Sequence, residues 1–438
     1  MTIPIGHPCM GGGIAPASRV VDPLMARGFV LLGPDRPIVL VSVDWCEIRN
    51  GAYDHWRAEL AQAAGTEPAR VLVCSVHQHD APVVDLEAER LLRSHGAEGR
   101  ICDPQFHARA VSRVVESLKQ SLDATRAVTH IGVGKAAVER IASNRRYIRP
   151  DGRPAFDRGS ATKDAYARDQ PEGTIDPDLR SLTFWNDHAP IAELCVYATH
   201  PMSYYGKGEI SADFVGMARS RRQVEEPGCF QIYATGCSGN ITAGKFNDGS
   251  PENRPRLADR LHAAMGLARK DAVRHPLREF AFRTTQLVLP PSEEAGFTSD
   301  DLRRRLREDR RPFGQCLAAL GLSYRRRFEA SRPIEVPTID VGPATIVLLP
   351  GESYVEFQLF TQRLRPERFV IAIGYGESGT GYIPTNQALD EEDSNLRDWC
   401  WVSRGAESLM KRAIAEVIGA NHRAEDRCTG EVEPQDSA

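Results

Sequence analysis

The sequence predicts an α/β protein in which helices flank a large, mixed β-sheet core. Two observations carry this prediction: short apolar runs that end in polar or glycine-rich residues, and helical patterns between several of those runs. Apolar runs of strand length suit buried strands, and their alternation with helices favours α/β architecture. In open sheets of this kind ligands bind beyond the strand ends, so we expect an active site there.

The predicted elements alternate along most of the chain. The predicted strands lie at 37–48, 69–77, 191–201, 229–239, 344–352 and 368–376. The predicted helices lie at about 50–64, 104–122, 214–224, 253–272 and 353–364.

Two segments depart from this alternation. Residues 144–180 are rich in Arg, Asp, Gly and Pro, which is typical of a long surface excursion, either covering a site or forming a plain loop. Residues 291–333 contain "DDLRRRLREDRRP" and "YRRRFEASRP", and predict a charged helical insertion that is solvated rather than anion-binding. We predict one domain over 1–422 and a disordered tail over 423–438.

Composition narrows the function classes. A formal net charge of -4 gives no bulk attraction to nucleic acid, so we expect no nucleic-acid partner. The sequence contains no run of 18 apolar residues, so no membrane span is predicted. Its first residues lack the pattern of a secretion signal. The 10 cysteines include no CxxC pair. Reduced core cysteines and a cytoplasmic location are therefore expected.

Histidines follow two of the predicted strands. "VLVCSVHQHDAP" ends in His77 and His79, which project to the same side if the strand continues through them. "YATHPMSYY" adds His200 after another strand. Two imidazoles on one rigid strand are typical of a zinc site, although each histidine alone also fits a hydrogen-bonded strand end.

Oxygen ligands follow two further strands. Glu352 lies in "LLPGES", and Glu377 and Tyr382 lie in "GYGESGTGYIPT". A glutamate in this position also fits a helix N-terminus, where the helix dipole favours negative charge. Several strand ends that carry His, His, Glu and Tyr together predict a metal site more specifically than any one of them.

The ordered motifs carry a family resemblance. "GGGIAP", "VSVDWCEI", "VHQHDAP", "ASNRR", "ATHPMS", "ATGCSGNIT", "PGES" and "GYIPT" resemble segments of the N-terminal catalytic region of the neutral/alkaline, non-lysosomal ceramidases. Those proteins are zinc amidases, and the segments occur here in the same order from about residue 10 to about 386. The C-terminal β-sandwich domain of that family is not expected in this chain.

The resemblance implies a role for each matching residue. The implied Zn²⁺ ligands are His77, His200, Glu352 and Tyr382. The implied catalytic residues are His79, which handles protons or the oxyanion, Arg145, which faces the reacting group, Thr242, which stands in the position of the family serine, and Asp80, which orients His79 or forms a turn. Ser238 is an alternative to Thr242 as the serine equivalent.

The expected function is zinc-dependent hydrolysis of a non-peptide C–N amide bond in a small acyl-amide substrate. A substrate smaller than ceramide is expected, because the sequence offers no evident apolar surface for membrane lipid. An amidohydrolase-type metal enzyme is one alternative, and a metal- or carbohydrate-binding protein that has lost catalysis is another. Iron or manganese would also suit two imidazoles and a carboxylate. The oligomeric state stays open.

Overall fold

A computed structural model describes residues 1–419, so the predicted tail over 423–438 lies outside the described residues. The helices are α1 Asn50–Ala64, α2 Leu86–Arg93, α3 Pro104–Leu122, α4 Ala165–Asp169, α5 Asp213–Glu225, α6 Asn253–Lys270, α7 Ser299–Glu308, α8 Pro312–Glu329, α9 Val355–Leu364, α10 Asn386–Asp390, α11 Leu396–Trp399 and α12 Ala406–Val417.

The strands alternate with these helices, and many are only two residues long. They are β1 Arg19–Val20, β2 Ala26–Leu31, β3 Ile38–Val43, β4 Glu47–Ile48, β5 Val71–Ser75, β6 Val83–Val84, β7 His130–Ala137, β8 Ser143–Asn144, β9 Tyr147–Ile148, β10 Pro154–Ala155, β11 Asp178–Asn186, β12 Ala189–Tyr197, β13 Glu209–Ile210, β14 Phe230–Thr235, β15 Ile241–Thr242, β16 Val273–Pro276, β17 Phe280–Leu287, β18 Ile334–Val341, β19 Ala344–Leu348, β20 Glu352–Ser353, β21 Phe369–Ile373 and β22 Tyr382–Ile383.

Three sheets form the centre of the molecule. Their strand orders are β14-β12-β11-β7-β16, β17-β18-β19-β21 and β2-β3-β5. Each sheet contains one parallel pair, β12 with β14, β19 with β21, and β3 with β5, and its other pairs are antiparallel. The mixed α/β prediction is confirmed, but the strands are divided among several sheets instead of forming one.

Successive side chains of the central strands enter different cores. Leu40, Leu72, Leu194, Ile232 and Ile346 share one cluster, so the five-stranded sheet faces the other two sheets across it. The alternate residues of β3, β5, β19 and β21 pack in a second cluster with helices such as α1, α3 and α8. Those of β12 and β14 pack with α5 and α6 in a third cluster. Since neighbouring side chains of a strand point to opposite faces, the layers run helix, sheet, sheet, helix.

Hydrogen bonds bring the carboxyl ends of the three parallel pairs together. The Ser75 N–H donates to the Tyr375 carbonyl at 3.0 Å, and the Gly374 N–H donates to the Thr235 carbonyl at 2.9 Å. The Thr235 hydroxyl donates to the Val76 carbonyl at 2.7 Å. These contacts join β5, β14 and β21 at one edge of the molecule, and this edge positions the site.

The charged segment 291–333 contains α7 and α8. The solvated character expected for it fits α7, in which only Leu302 and Leu306 are buried. It is wrong for α8, whose residues 317–325 are all buried. The reason is that the α8 arginines lie at its C-terminal end, where Arg327, for example, pairs with Asp54 at 2.8 Å. The division of the chain into one domain and a tail stays a prediction.

The nine cysteines of residues 1–419 are free and buried. No helix within those residues is long and apolar enough to cross a membrane.

Candidate metal centre

Three side chains from three strand ends meet at the common edge. His77 follows β5, His200 follows β12, and Glu352 begins β20 just after β19. Glu352 Oε2 lies 3.2 Å from His77 Nε2 and 3.0 Å from His200 Nε2. All three residues are buried, and one nitrogen or oxygen ligand atom from each lies within 4.8 Å of the others. Two imidazoles and a carboxylate are a ligand set that zinc accepts.

Backbone carbonyls determine the protonation of both histidine rings. His77 Nδ1 lies 2.9 Å from the Cys46 carbonyl, and His200 Nδ1 lies 2.6 Å from the Ser238 carbonyl. A carbonyl oxygen can only accept, so each Nδ1 carries the hydrogen, and in the neutral ring Nε2 presents its lone pair. Both lone pairs therefore point at a carboxylate oxygen. Acceptors this close need a proton or a cation between them, and His77 Nε2 has no hydrogen-bond donor. The residues fit a divalent metal.

The charges of the three residues are coupled. Burial raises the pKa of Glu352, but His77 and His200 outweigh burial and hold that pKa well below its usual value. Burial and the nearby Arg145 guanidinium lower the pKa of His200 to about 4. The ionised carboxylate and the neutral His200 imidazole are in the form that binds a metal. Burial lowers the pKa of His77 but Glu352 raises it by more, so a bound metal would displace a proton from His77.

Tyr375 contacts both histidine rings. Its ring stacks on the His77 ring with centroids 4.2 Å apart and planes 20° apart. Its hydroxyl lies 2.7 Å from the Ser238 hydroxyl and 3.5 Å from His200 Nδ1. Tyr375 is not identifiable from the sequence, because an aromatic residue at the end of an apolar strand is typical of a core residue. Only the fold brings it onto His77.

Tyr382 and Arg145 lie beside the cluster. Tyr382 pairs with Glu352 across the parallel strands β20 and β22, and the Arg145 guanidinium donates to the Tyr382 hydroxyl at 2.7 Å. Arg145 Nη2 also lies 3.5 Å from His200 Nε2. Burial raises the pKa of Tyr382 far more than Arg145 lowers it. The structure therefore brings both predicted residues to the site.

His79 lies against the same two rings. Its centroid is 5.3 Å from that of His77 and 6.2 Å from that of His200. His79 Nδ1 is buried and has no hydrogen-bond partner. Burial, followed by the neighbouring His77 and His200, lowers the pKa of His79 well below its usual value, so this ring is neutral at neutral pH. The sequence predicts that His77 and His79 project to the same side if one strand continues through both. In the structure the strand ends at Ser75 and His77 has a φ of 74°, so a bent chain, not a strand, brings His79 to this position.

Asp80 does not orient His79. Asp80 Oδ1 accepts the Gly206 N–H at 2.9 Å, and Oδ2 lies 3.9 Å from Arg254. Both Asp80 contacts lie on segments other than the one that carries His79, and His79 Nδ1 has no hydrogen-bond partner. Burial raises the pKa of Asp80 to about 6, and the Gly206 N–H opposes the shift. The expected orienting role is wrong, and Asp80 anchors a loop.

Thr242 is turned away from the cluster. Its hydroxyl donates to the Gly159 carbonyl at 2.9 Å and accepts the Gly244 N–H at 3.2 Å. Its expected role as a catalytic hydroxyl is contradicted by these bonds. Ser238 lies much nearer, since its carbonyl accepts from His200 and its hydroxyl bonds to Tyr375.

Glu377, Trp399 and Trp401 lie near the cluster but do not join it. Glu377 Oε1 accepts the N–H groups of Asn50 at 2.6 Å and Gly379 at 2.9 Å, so it caps α1 and does not join the histidines. Trp399 donates to Glu47 at 3.1 Å, and the Arg49 guanidinium lies 4.6 Å from the Trp401 ring. These contacts pack Trp399 and Trp401 against the buried pair of Glu47 and Arg49.

A cavity of about 540 Å³ lies elsewhere, at the opposite edge of the sheets. Phe29, Phe184, Phe230 and Phe280 are among its lining residues, and none of the cluster residues is. Its lining is largely apolar, with the charged residues Asp35, Arg126, Arg278 and Glu279, and includes no histidine. The chemistry of the side chains, and not cavity size, therefore locates the candidate site at the histidines.

Comparison with solved structures identifies the fold. The neutral ceramidase of Pseudomonas aeruginosa superposes with a TM-score of 0.63 at 17% sequence identity, over 94% of this chain and 70% of that one. The chain has the neutral ceramidase fold. A structure described as ceramidase complexed with C2 matches with a TM-score of 0.62 at 15% identity, over 94% of this chain and 71% of that one.

Other comparisons give no relative. No family model matches the sequence, and no curated protein matches it. Amidohydrolase-type enzymes are built on a barrel, whereas the described strands form several open sheets, so the fold disfavours that alternative. At this level of identity the ceramidase likeness establishes the fold and leaves the reaction to be argued from the site.

Proposed function

We propose that the protein is a zinc-dependent hydrolase that cleaves the C–N bond of a small, non-peptide acyl amide. The observation that carries the proposal is the pair of imidazoles whose Nε2 atoms converge on one carboxylate oxygen, at 3.2 and 3.0 Å, with their Nδ1 atoms held by carbonyls. The ceramidase fold supports it, because known proteins with that fold hydrolyse a fatty amide.

His77, His200 and Glu352 would hold the metal, with Tyr382 as the fourth ligand. Tyr382 lies on the strand next to Glu352, and the Arg145 guanidinium compensates negative charge on its oxygen. When bound, the zinc ion would act as a Lewis acid that lowers the pKa of water toward ~7 and polarises a carbonyl group.

The remaining groups act on the substrate and on protons. Arg145 is buried and stays protonated, so its guanidinium binds the negative charge that develops on the carbonyl oxygen. Neutral His79 accepts a proton at its free ring nitrogen from the attacking water and returns it to the departing amine nitrogen. Amide hydrolysis requires that return, since an amide anion is a poor leaving group.

The substrate is proposed to be smaller than ceramide. Five of the six site residues are buried, and the sixth, His79, is covered in part by Tyr205 at 5.1 Å between ring centroids. A narrow approach of this kind favours a slender acyl or amine group over a two-chain lipid. We also propose that the enzyme acts in the cytoplasm.

Metal analysis of variants tests the ligand assignment. The purified protein is expected to contain one zinc ion per chain, and His77→Ala and Glu352→Ala are expected to lose it. His107→Ala is the matched control, because His107 is a buried histidine outside the cluster. Stoichiometric metal in both ligand variants would refute the assignment.

Activity tests the reaction. A panel of N-acyl amines and N-acyl amino acids is expected to be cleaved by the metal-loaded protein, and His79→Ala is expected to lose activity by a factor of about 100 or more while it keeps the metal. Zinc binding without hydrolysis of any amide would favour the second candidate, a metal-binding protein that has lost catalysis. The observation behind that candidate is Thr242, whose hydroxyl is bonded to Gly159 instead of facing the site.

A further inference from the structure

The approach to the site passes one aromatic side chain. Among His77, His79, Arg145, His200, Glu352 and Tyr382, only His79 is not fully buried. The Tyr205 ring meets the His79 ring edge-to-face, with centroids 5.1 Å apart and planes at 79°. Tyr205 is itself partly exposed. Tyr205 therefore covers part of the one site residue that solvent reaches.

Tyr205 also bridges two separate segments. Its hydroxyl lies 3.1 Å from the Ser160 hydroxyl, in the surface excursion predicted over 144–180. The ring is thus held at two points: by His79 on one side and by Ser160 on the other. A group that enters the site must displace the ring or pass beside it.

The backbone that carries Tyr205 is anchored on both sides. The Ser203 carbonyl accepts from Asn247 at 2.7 Å, and Arg254 donates to the Tyr204 carbonyl. On the other side the Gly206 N–H donates to Asp80 at 2.9 Å. The short loop is therefore fixed, and the cover that Tyr205 gives to His79 changes mainly by rotation of the Tyr205 side chain.

We propose that Tyr205 determines substrate specificity by limiting the width of the acyl group that reaches the metal centre. Unbranched acyl chains pass or displace the ring, and acyl groups branched next to the carbonyl do not. The role in specificity rests on the proposed hydrolase function, whereas the restriction of access to the metal does not.

Metal release to a chelator tests access without any substrate. Zinc-loaded protein is mixed with excess 4-(2-pyridylazo)resorcinol, and zinc release is followed by absorbance. Tyr205→Ala is expected to release zinc about tenfold faster than the unchanged protein, because an aromatic contact and a hydrogen bond are lost. Ser160→Ala is expected to give a smaller increase, since it removes only the hydrogen bond.

Two controls separate access from a weakened metal site. Tyr204→Ala changes the neighbouring tyrosine, whose ring packs on Arg254 and not on His79, and is expected to leave the release rate unchanged. The equilibrium zinc affinity of Tyr205→Ala is expected to equal that of the unchanged protein. Equal release rates for the unchanged protein and Tyr205→Ala, both fully loaded, would overturn the proposal.

Acyl-chain selectivity tests the specificity role. Amides of one amine with acetyl, hexanoyl, dodecanoyl and pivaloyl groups are compared by kcat/KM. Tyr205→Ala is expected to raise the pivaloyl-to-acetyl ratio by tenfold or more and to leave the dodecanoyl-to-hexanoyl ratio unchanged, because an unbranched chain has the same width at either length. An unchanged pivaloyl-to-acetyl ratio would refute the role in specificity. If the unchanged protein and Tyr205→Ala cleave none of the amides, the proposed hydrolase function fails, and the chelator experiment still decides whether Tyr205 limits access.

Discussion

At the scale of single residues, the metal-binding potential of the site depends on groups behind the ligands. The Cys46 and Ser238 carbonyls fix the hydrogens of His77 and His200 on Nδ1, and Tyr375 packs on one ring and reaches the other. Ligand groups that are already oriented lose little freedom when the metal binds. His77 and His200 were identifiable from the sequence, whereas the carbonyls and Tyr375 were not, because no local pattern encodes a contact between remote segments.

Tyr375 is predicted to stabilise the metal site chiefly through its ring. Tyr375→Leu removes both the stacking on His77 and the bond to Ser238, and is expected to weaken zinc binding about tenfold or more. Tyr375→Phe keeps the stacking and is expected to weaken binding less. Competitive zinc titration measures both, with Tyr324→Phe and Tyr324→Leu as controls, since Tyr324 is a buried tyrosine that bonds to the Leu289 carbonyl. Equal affinity in Tyr375→Leu and the unchanged protein would contradict this role.

His107 is predicted to make folding stability depend on pH. Burial, helped by the nearby His55, lowers the pKa of His107 from 6.5 to about 4. The folded protein therefore resists protonation that the unfolded chain accepts. The contribution of neutral His107 is complete above about pH 6.5, decreases as the pH falls, and is lost by about pH 4.

Urea unfolding of the metal-free protein at pH 7.5 and pH 4 measures this effect. The free energy of unfolding of the unchanged protein, minus that of His107→Gln, is expected to fall by about 3 kcal/mol between the two pH values. A difference that is the same at both pH values would show that His107 titrates alike in the folded and unfolded states.

At the scale of elements, an ion pair joins α5 to the end of β3, a strand of the three-stranded sheet. Arg219 of α5 donates to both carboxylate oxygens of Asp44, which follows β3, at 2.7 Å each. Both side chains are buried. The helix begins shortly after the loop that carries Tyr205, so the pair also fixes one border of the site. Neither residue stood out in the sequence, because an isolated Asp and an isolated Arg do not indicate which partner each will meet.

Breaking this pair is predicted to be costly. Arg219→Met leaves the Asp44 carboxylate buried without its partner, and is expected to lower the free energy of unfolding by about 3–5 kcal/mol. The double variant Asp44→Asn/Arg219→Met is expected to recover part of that loss, because the unpaired charge is gone. Urea unfolding measures both, and metal content is the control for an intact site. A double variant less stable than Arg219→Met would contradict the explanation.

At the scale of the whole molecule, the site exists only because three sheets share one edge. His77, His200 and Glu352 follow strands of three different sheets, and His200 and Glu352 are 152 residues apart in the chain. A metal bound there would join the helix–sheet halves on either side of the inter-sheet core. The likeness to neutral ceramidase over 94% of the chain places this arrangement in a known fold.

Metal removal is therefore predicted to destabilise the entire described structure. At a free zinc concentration about 1,000 times the dissociation constant, binding contributes about 4 kcal/mol, so a chelator is expected to lower the Tm and added zinc to restore it. The effect is expected to be larger at pH 7.5 than at pH 5, because metal binding requires deprotonated ligands. Calorimetry with and without chelator checks this, and His77→Ala, which should lack the metal, is expected not to respond.

The sequence by itself determined the α/β character, six of the twelve strands in the three central sheets, which are the strands of the three parallel pairs, and the residue types at their ends. These properties follow from hydrophobic periodicity and from local chain direction, which are local quantities. Only the tertiary structure decided how the strands divide into sheets, that Asp80 and Thr242 turn to Gly206 and Gly159, and that Ser238, Tyr375 and Tyr205 surround the histidines. The reason is physical: where a side chain points depends on backbone angles such as the positive φ of His77, and on partners from distant segments.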